Sequence, residues 1–91
     1  MKVYVLSVYG ENPDRDFHYV HGVYQTLLKA QNAMEKEYSD TKERARKSGA
    51  QLDDDYDNFG SWYASFATKG QMPYSDYEAI YRYEITETEL E

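Results

Sequence analysis

The sequence predicts an α+β domain in which one long helix packs across one face of a mostly antiparallel sheet of three or four strands. Segments rich in β-branched and aromatic residues occur near both ends of the chain, and a long segment with helical apolar spacing lies between them. The resulting order of elements is β-β-α-β-β, which is typical of a sheet with a helix on one side. At 91 residues, the chain is long enough for one domain with one core.

The first two predicted strands lie at residues 2–9 and 17–24, because β-branched and aromatic residues dominate both segments. Alternation along the first strand puts Tyr4, Leu6 and Val8 on one face. The intervening segment, 10–14, has the Gly, Asn, Pro and Asp residues of a turn. The two strands therefore pair most simply as an antiparallel hairpin.

The predicted helix covers residues 26–48. Thr26 is a suitable N-cap, and Gly49 follows the last turn as a C-terminal stop. Apolar side chains recur at spacings of three and four residues and form the face that packs on the sheet, namely Leu27, Ala30, Met34 and Tyr38.

The second half of the chain begins with an acidic loop at 51–58. Residues 61–68 alternate as a strand does, and we predict a strand there. A helix stays open as the alternative, with an apolar stripe formed by Phe59, Trp62, Tyr63 and Phe66. A turn at 70–73 and a last strand from Tyr77 to Leu90 follow. We interpret 1–91 as a single small domain that carries 46–76 as an acidic and aromatic insertion.

Charge divides unequally between the two halves. Residues 1–50 have eight basic and seven acidic side chains, a net of +1, whereas residues 51–91 have two basic and ten acidic ones, a net of −8. Such a surface repels nucleic acid and anionic lipid, so we expect neither direct nucleic-acid binding nor membrane binding. A basic protein is the partner that it fits. The chain has no cysteine, and the apolar run near its N-terminus is too short for a signal peptide, so we expect a cytoplasmic protein.

Motifs of common catalytic and cofactor sites are missing from the sequence. Its five glycines are scattered and form no phosphate-binding loop, so no cofactor is expected. His18 and His21 are three residues apart, which on a strand sends them to opposite faces and prevents a shared metal ion. The carboxylates of residues 53–57 have the beginning of a calcium loop, but Asn58 and Ala64 replace its required Gly and Glu. We therefore expect no metal site and no enzyme.

The candidate partner-binding residues combine carboxylates with aromatic rings from the second half of the chain. Aromatic side chains supply contact area at interfaces, while acidic groups set orientation and speed the encounter. The alternative is that the aromatics are ordinary strand residues and the carboxylates a solvated surface. The set is Asp53, Asp54, Asp55, Tyr56, Asp57, Trp62, Tyr63, Glu84 and Glu87.

Three stretches of the chain resemble a family of small uncharacterised domains from bacterial and phage genomes. They are the opening strand Val3-Tyr4-Val5-Leu6-Ser7, the junction Gly22-Val23-Tyr24-Gln25-Thr26 before the helix, and the closing strand Tyr83-Glu84-Ile85-Thr86-Glu87-Thr88-Glu89-Leu90. This resemblance implies no activity and no catalytic residue. In size and acidity the chain is also similar to phage-encoded inhibitors of host defence, including anti-CRISPR proteins that imitate nucleic acid.

The functional hypothesis is a non-enzymatic, acidic module that occupies a basic site on a nucleic-acid-binding protein, such as a host defence nuclease. Two alternatives belong to other classes. The first is a small hydrolytic enzyme that uses His18 or His21 with Asp14 or Asp16 as an acid–base pair. The second is a structural or assembly protein, and a homodimer is compatible with each of the three.

Overall fold

One helix and five strands make up the part of the chain that the structure describes. The structure, a computed structural model, describes residues 1–11, 16–69 and 78–90, without the side chains of 54–56, 69 and 78. In chain order the elements are β1 (Lys2–Glu11), β2 (Asp16–Tyr24), α1 (Leu27–Lys47), β3 (Gln51–Phe59), β4 (Tyr63–Lys69) and β5 (Glu78–Glu89). The strands form one sheet in the order β2-β1-β5-β4-β3, and each neighbouring pair is antiparallel.

The predicted α+β class, with one helix on an antiparallel sheet, is confirmed, but the predicted number of strands is wrong. Residues 51–58, which we expected to be an acidic loop, belong to the edge strand β3 beside β4. Aspartate is depleted in strands, and for that reason the sequence favoured a loop. An edge strand tolerates aspartate because water solvates its free side, and β3 also has an irregular register between Asp53 and Asn58.

The remaining strand predictions agree with the structure wherever it describes them. The strand alternative for 61–68 is confirmed as β4, and the last strand is β5. Of the turn predicted at 10–14, Gly10 and Glu11 belong to β1, and the other residues lie outside the described part. The turn predicted at 70–73 lies outside it as well.

Local signals at both ends set the length of α1. Thr26 is the N-cap, and its side-chain oxygen accepts a hydrogen bond from the backbone amide of Lys29 at 3.1 Å. Beyond the C-cap Ser48, Gly49 has a φ of +96°, which an L side chain rarely adopts. The amide of Gly49 then donates to the carbonyl of Arg46, and that of Ala50 to the carbonyl of Ala45, which together form a Schellman motif.

The core lies between α1 and one face of the sheet. Ala30 and Met34 of the helix are fully buried, and Leu27 and Tyr38 pack against the same cluster, as the helical spacing predicts. The sheet contributes the buried side chains of Leu6, Val8, Ala64, Phe66, Tyr83 and Ile85. Burial raises the pKa of Tyr83 to about 12, so its phenol stays neutral at physiological pH.

We expect Met34→Asp to lower the free energy of unfolding by about 3 kcal/mol or more. The change puts a carboxylate with no partner into a site that is now fully buried and apolar. Chemical denaturation followed by circular dichroism measures the loss. Leu28→Asp is the matched control, because Leu28 lies on the same helix and is 66% exposed. Equal stability of the two variants would mean that the buried face of α1 is misassigned.

Candidate functional site

The face of the sheet opposite α1 is covered by no described helix or strand, and we call it the open face. Alternation places the core residues of β1, β4 and β5 under the helix and their sequence neighbours on the open face. Cross-strand pairing then aligns these neighbours into rows. The row through the middle of the open face is His18, Tyr9, Arg82, Ser65 and Asn58, and the row beside it is Val20, Ser7, Glu84 and Tyr63.

Five residues of these rows line a shallow groove of about 700 Å³ on the open face, namely Tyr9, His18, Tyr63, Arg82 and Glu84. On one side, the rings of Tyr9 and His18 stack with their centroids 4.3 Å apart and nearly parallel. Near the middle, Nη2 of Arg82 donates a hydrogen bond to Oε1 of Glu11 at 2.7 Å. One wall of the groove is therefore formed by two stacked rings, and the guanidinium of Arg82 beside it is held in place by Glu11.

Glu84 and Tyr63 form the other side of the groove. They lie directly opposite each other on β5 and β4, so their side chains are neighbours on the open face. Tyr63 is 51% exposed, and Glu84 is exposed too. Within the described residues, Glu84 forms no ion pair. An exposed ring beside an uncompensated carboxylate is a suitable contact for a cation.

The two sides of the molecule differ in charge. On the open face, the described side chains include four carboxylates, those of Glu11, Asp16, Asp53 and Glu84, and one cation, Arg82, for a net of −3. By contrast, α1 has six basic and four acidic residues, for a net of +2. Among the described side chains, the open face is thus net negative, whereas α1 itself is net positive.

The structure brings some of the sequence-predicted site residues together and separates others. Tyr63 and Glu84 meet on the open face, and Trp62 lies at the end of the same groove. The ring of Trp62 also contacts that of Tyr4, with centroids 6.2 Å apart. Glu87 extends from the opposite face, where it lies 3.5 Å from Nζ of Lys2, so it does not belong to the groove.

The aspartates of β3 do not all lie on one face of the sheet. Asp53 belongs to the open face by its register with Ala67, whereas the side chains of Asp54, Asp55 and Tyr56 lie outside the description. Asp57 is directed toward α1, where its carboxylate accepts hydrogen bonds from the hydroxyl of Tyr38 and the ammonium of Lys42. Asp57 therefore ties the edge strand to the helix.

The pKa values of this cluster shift in the directions that its hydrogen bonds require. The bond from Lys42, with that from Tyr38, lowers the pKa of Asp57. Burial raises the pKa of Tyr38, and its bond to the carboxylate adds to the effect. For Lys42, burial opposes the charged form, but the bonds to Asp57 and Tyr38 outweigh it and the pKa rises.

The two histidines have separate environments on β2. His18 stacks on Tyr9 in the groove, and Nε2 of His21 lies 3.6 Å from Oε1 of Glu37 on α1. The two rings thus lie on opposite faces of the sheet, as the strand geometry predicts. Asp16 shares the open face with His18, while Asp14 lies outside the described residues. Among the described side chains, no group of three or more His, Asp or Glu residues is arranged to hold a metal ion.

The groove contains three residues that the sequence did not single out, Tyr9, Glu11 and Arg82, whereas His18 was considered there for metal binding and for acid–base catalysis. Alternation did place Tyr9 on the face opposite Leu6 and put Arg82 on the same face of the last strand as Glu84. Alternation does not predict the register between β1 and β5, and it is this register that pairs Tyr9 with Arg82. That pairing joins parts of the chain more than seventy residues apart, so a local pattern gives no signal of it.

Comparison with protein-family models, curated proteins and solved structures finds no match to this chain. Within residues 1–11, 16–69 and 78–90, no helix combines the length and apolar character that crossing a membrane requires.

We expect Asp57→Asn to destabilise the fold by about 1 kcal/mol at neutral pH, because it removes the charge that Lys42 and Tyr38 contact. The folded-state pKa of Asp57 is depressed, so its stabilisation is present above the unfolded pKa and is lost as pH falls below about 4. The difference in stability between wild type and variant should therefore shrink on acidification. Denaturant titrations at several pH values measure it.

Asp40→Asn is the matched control, since Asp40 is an exposed carboxylate on α1. It should change stability by no more than about 0.5 kcal/mol. If both variants lose the same stability, or if the loss caused by Asp57→Asn persists at low pH, the carboxylate of Asp57 does not tie β3 to the helix.

Proposed function

We propose that this chain is a non-enzymatic binding module whose open face docks on a basic protein, at the site with which that protein binds nucleic acid. The observation that carries the proposal is the uncompensated carboxylate of Glu84 beside the exposed ring of Tyr63, on a sheet face that no described element covers. The net charge of −3 that the described side chains of that face carry supports a basic partner.

The groove offers a lysine or arginine of the partner two complementary contacts. Its cationic head can pair with Glu84 while its stem or guanidinium plane packs on Tyr63. The stacked Tyr9 and His18 supply a second flat surface in the groove. Rigid aromatic rings give contact area at a low entropic cost, and such rings often dominate binding energy.

Two carboxylates of the open face are close enough together to imitate neighbouring phosphates. Asp16 lies opposite Glu11, which separates their Cβ atoms by about 5 Å. This separation is of the same order as that between adjacent phosphates along a nucleic-acid strand. Given the resemblance in size and acidity to phage-encoded inhibitors, a nuclease of a bacterial defence system is the first partner class to test.

The hydrolytic alternative would use His18 with Asp16 at the edge of the same groove. His18→Gln separates the two functions, because glutamine keeps a polar side chain but removes the acid–base group. A binding module should retain its inhibition of the partner to within about tenfold, as expected for the loss of one peripheral ring. Complete loss of biological activity with an intact fold and intact partner binding would favour the enzyme.

We expect Tyr63→Ala and Glu84→Gln each to weaken partner binding by about tenfold, which corresponds to roughly 1.4 kcal/mol. The partner is first captured from the native host with the wild-type chain, and its affinity is then measured by calorimetry at several salt concentrations. Wild-type affinity should fall as salt rises, and Glu84→Gln should reduce that dependence, because exposed charges are screened over about 8–10 Å. A nucleic-acid oligonucleotide that the partner binds should compete with the chain.

Glu35→Gln is the matched control, since it removes one exposed carboxylate from α1 instead of from the open face. It should leave affinity within about twofold of the wild type. Tyr63→Phe keeps the ring and should retain most of the affinity that Tyr63→Ala loses. If Glu84→Gln and Glu35→Gln weaken binding equally, or if the oligonucleotide does not compete, the open face is not the docking surface.

A further inference from the structure

The strand β2 forms one edge of the described sheet, and its composition differs from that of a protected edge. Its residues 17–24, Phe-His-Tyr-Val-His-Gly-Val-Tyr, include no lysine, arginine, aspartate or glutamate. Tyr19, Val20 and Val23 are all exposed, with Val20 at 55% and Val23 at 58%. Edge strands that stay unpaired usually have charged side chains, so an uncharged apolar edge of this length favours pairing with another strand.

The opposite edge, β3, shows the protection that β2 lacks. Four of its nine residues are aspartates, and Asp57 is tied to α1 through Tyr38 and Lys42. Pairing β3 with a second β3 would bring carboxylates against carboxylates, and like charges directly opposite each other destabilise a sheet. The two edges of one sheet therefore have opposite properties: β3 resists pairing and β2 permits it.

We propose that β2 pairs with β2 of a second copy of this chain, in antiparallel orientation, and that the chain forms a homodimer through this edge. A twofold axis places the same strand on both sides, so the interface has to be complementary to itself. The uncharged segment 17–24 meets that condition, because each of its side chains faces another uncharged side chain of the same set. A basic partner gains no electrostatic attraction from this segment, so a second copy is the better occupant.

The pairing has a defined geometry. Antiparallel strands in one continuous sheet are related by an axis perpendicular to that sheet, so both helices lie on one side and both open faces on the other. The β-bulge between Leu6 and Ser7 interrupts the register of β2 near His21, which limits regular pairing to the segments on either side of it. Contact along a single strand is a small interface, and we expect a Kd on the order of micromolar.

The experiment is sedimentation equilibrium of the wild-type chain over a wide range of concentrations. We expect a monomer–dimer equilibrium for the wild type and a Kd raised about tenfold or more by Val20→Lys, which adds a charge to the edge. Leu28→Lys is the matched control, because it adds the same charge at a site on α1 that is 66% exposed. It should change the Kd by no more than about twofold. Circular dichroism confirms that both variants are folded.

Because the chain has no cysteine, single spin labels at Val20→Cys and Asn58→Cys provide a second measurement that does not depend on the lysine variants. Pairing through β2 puts the two Val20 positions well under about 20 Å apart and the two β3 edges roughly 40 Å apart, from ten strands at about 4.8 Å each. A monomer at all concentrations, equal effects of the two lysine variants, a short distance at Asn58, or association beyond a dimer would each overturn the proposal.

Discussion

The burial of Met34 between α1 and the sheet is the contact on which the rest of the structure depends. A helix about 10 Å wide lies on five strands that together span about 24 Å, so it covers the middle strands and leaves the edges partly uncovered. The helix also covers only one of the two faces. The other face has no described helix over it, and its polar residues include Ser65, Arg82 and Glu84 beside the buried Ser7.

Because the helix covers only one face of the sheet, the two proposed interaction surfaces, the groove and the edge of β2, both lie outside the area that it covers. The groove lies on the open face and includes the side chain of His18, whereas the dimer would form through the backbone edge of the same strand, β2. A dimer through β2 would place two acidic grooves side by side, which suits a partner with two basic sites. The edge strand β3 is held to the helix by the hydrogen bonds that Tyr38 and Lys42 donate to Asp57 and by the packing of Phe59 on Tyr38.

Short-range chemistry decided which elements were predictable from the sequence. The bounds of α1 follow from Thr26 and Gly49, whose side chain and φ angle act within four residues. Its buried face follows from apolar residues at spacings of three and four. β3 was missed because aspartate disfavours strands locally, whereas its place at the sheet edge is a property of the whole fold. For the same reason the pairing of Tyr63 with Glu84 needed the structure, although alternation alone assigns each residue to its face.

The central position of β1 and β5 has a consequence for how the chain reaches this fold. Each residue of β1 pairs with one at least 69 positions further along, from Glu11 with Ile80 to Lys2 with Glu89. Loop closure over such distances is entropically costly and slows folding, so this topology belongs to the slow end for its size. During synthesis, β1 is therefore without its partner β5 until the other described elements have been made, and the middle of the sheet can be completed only then.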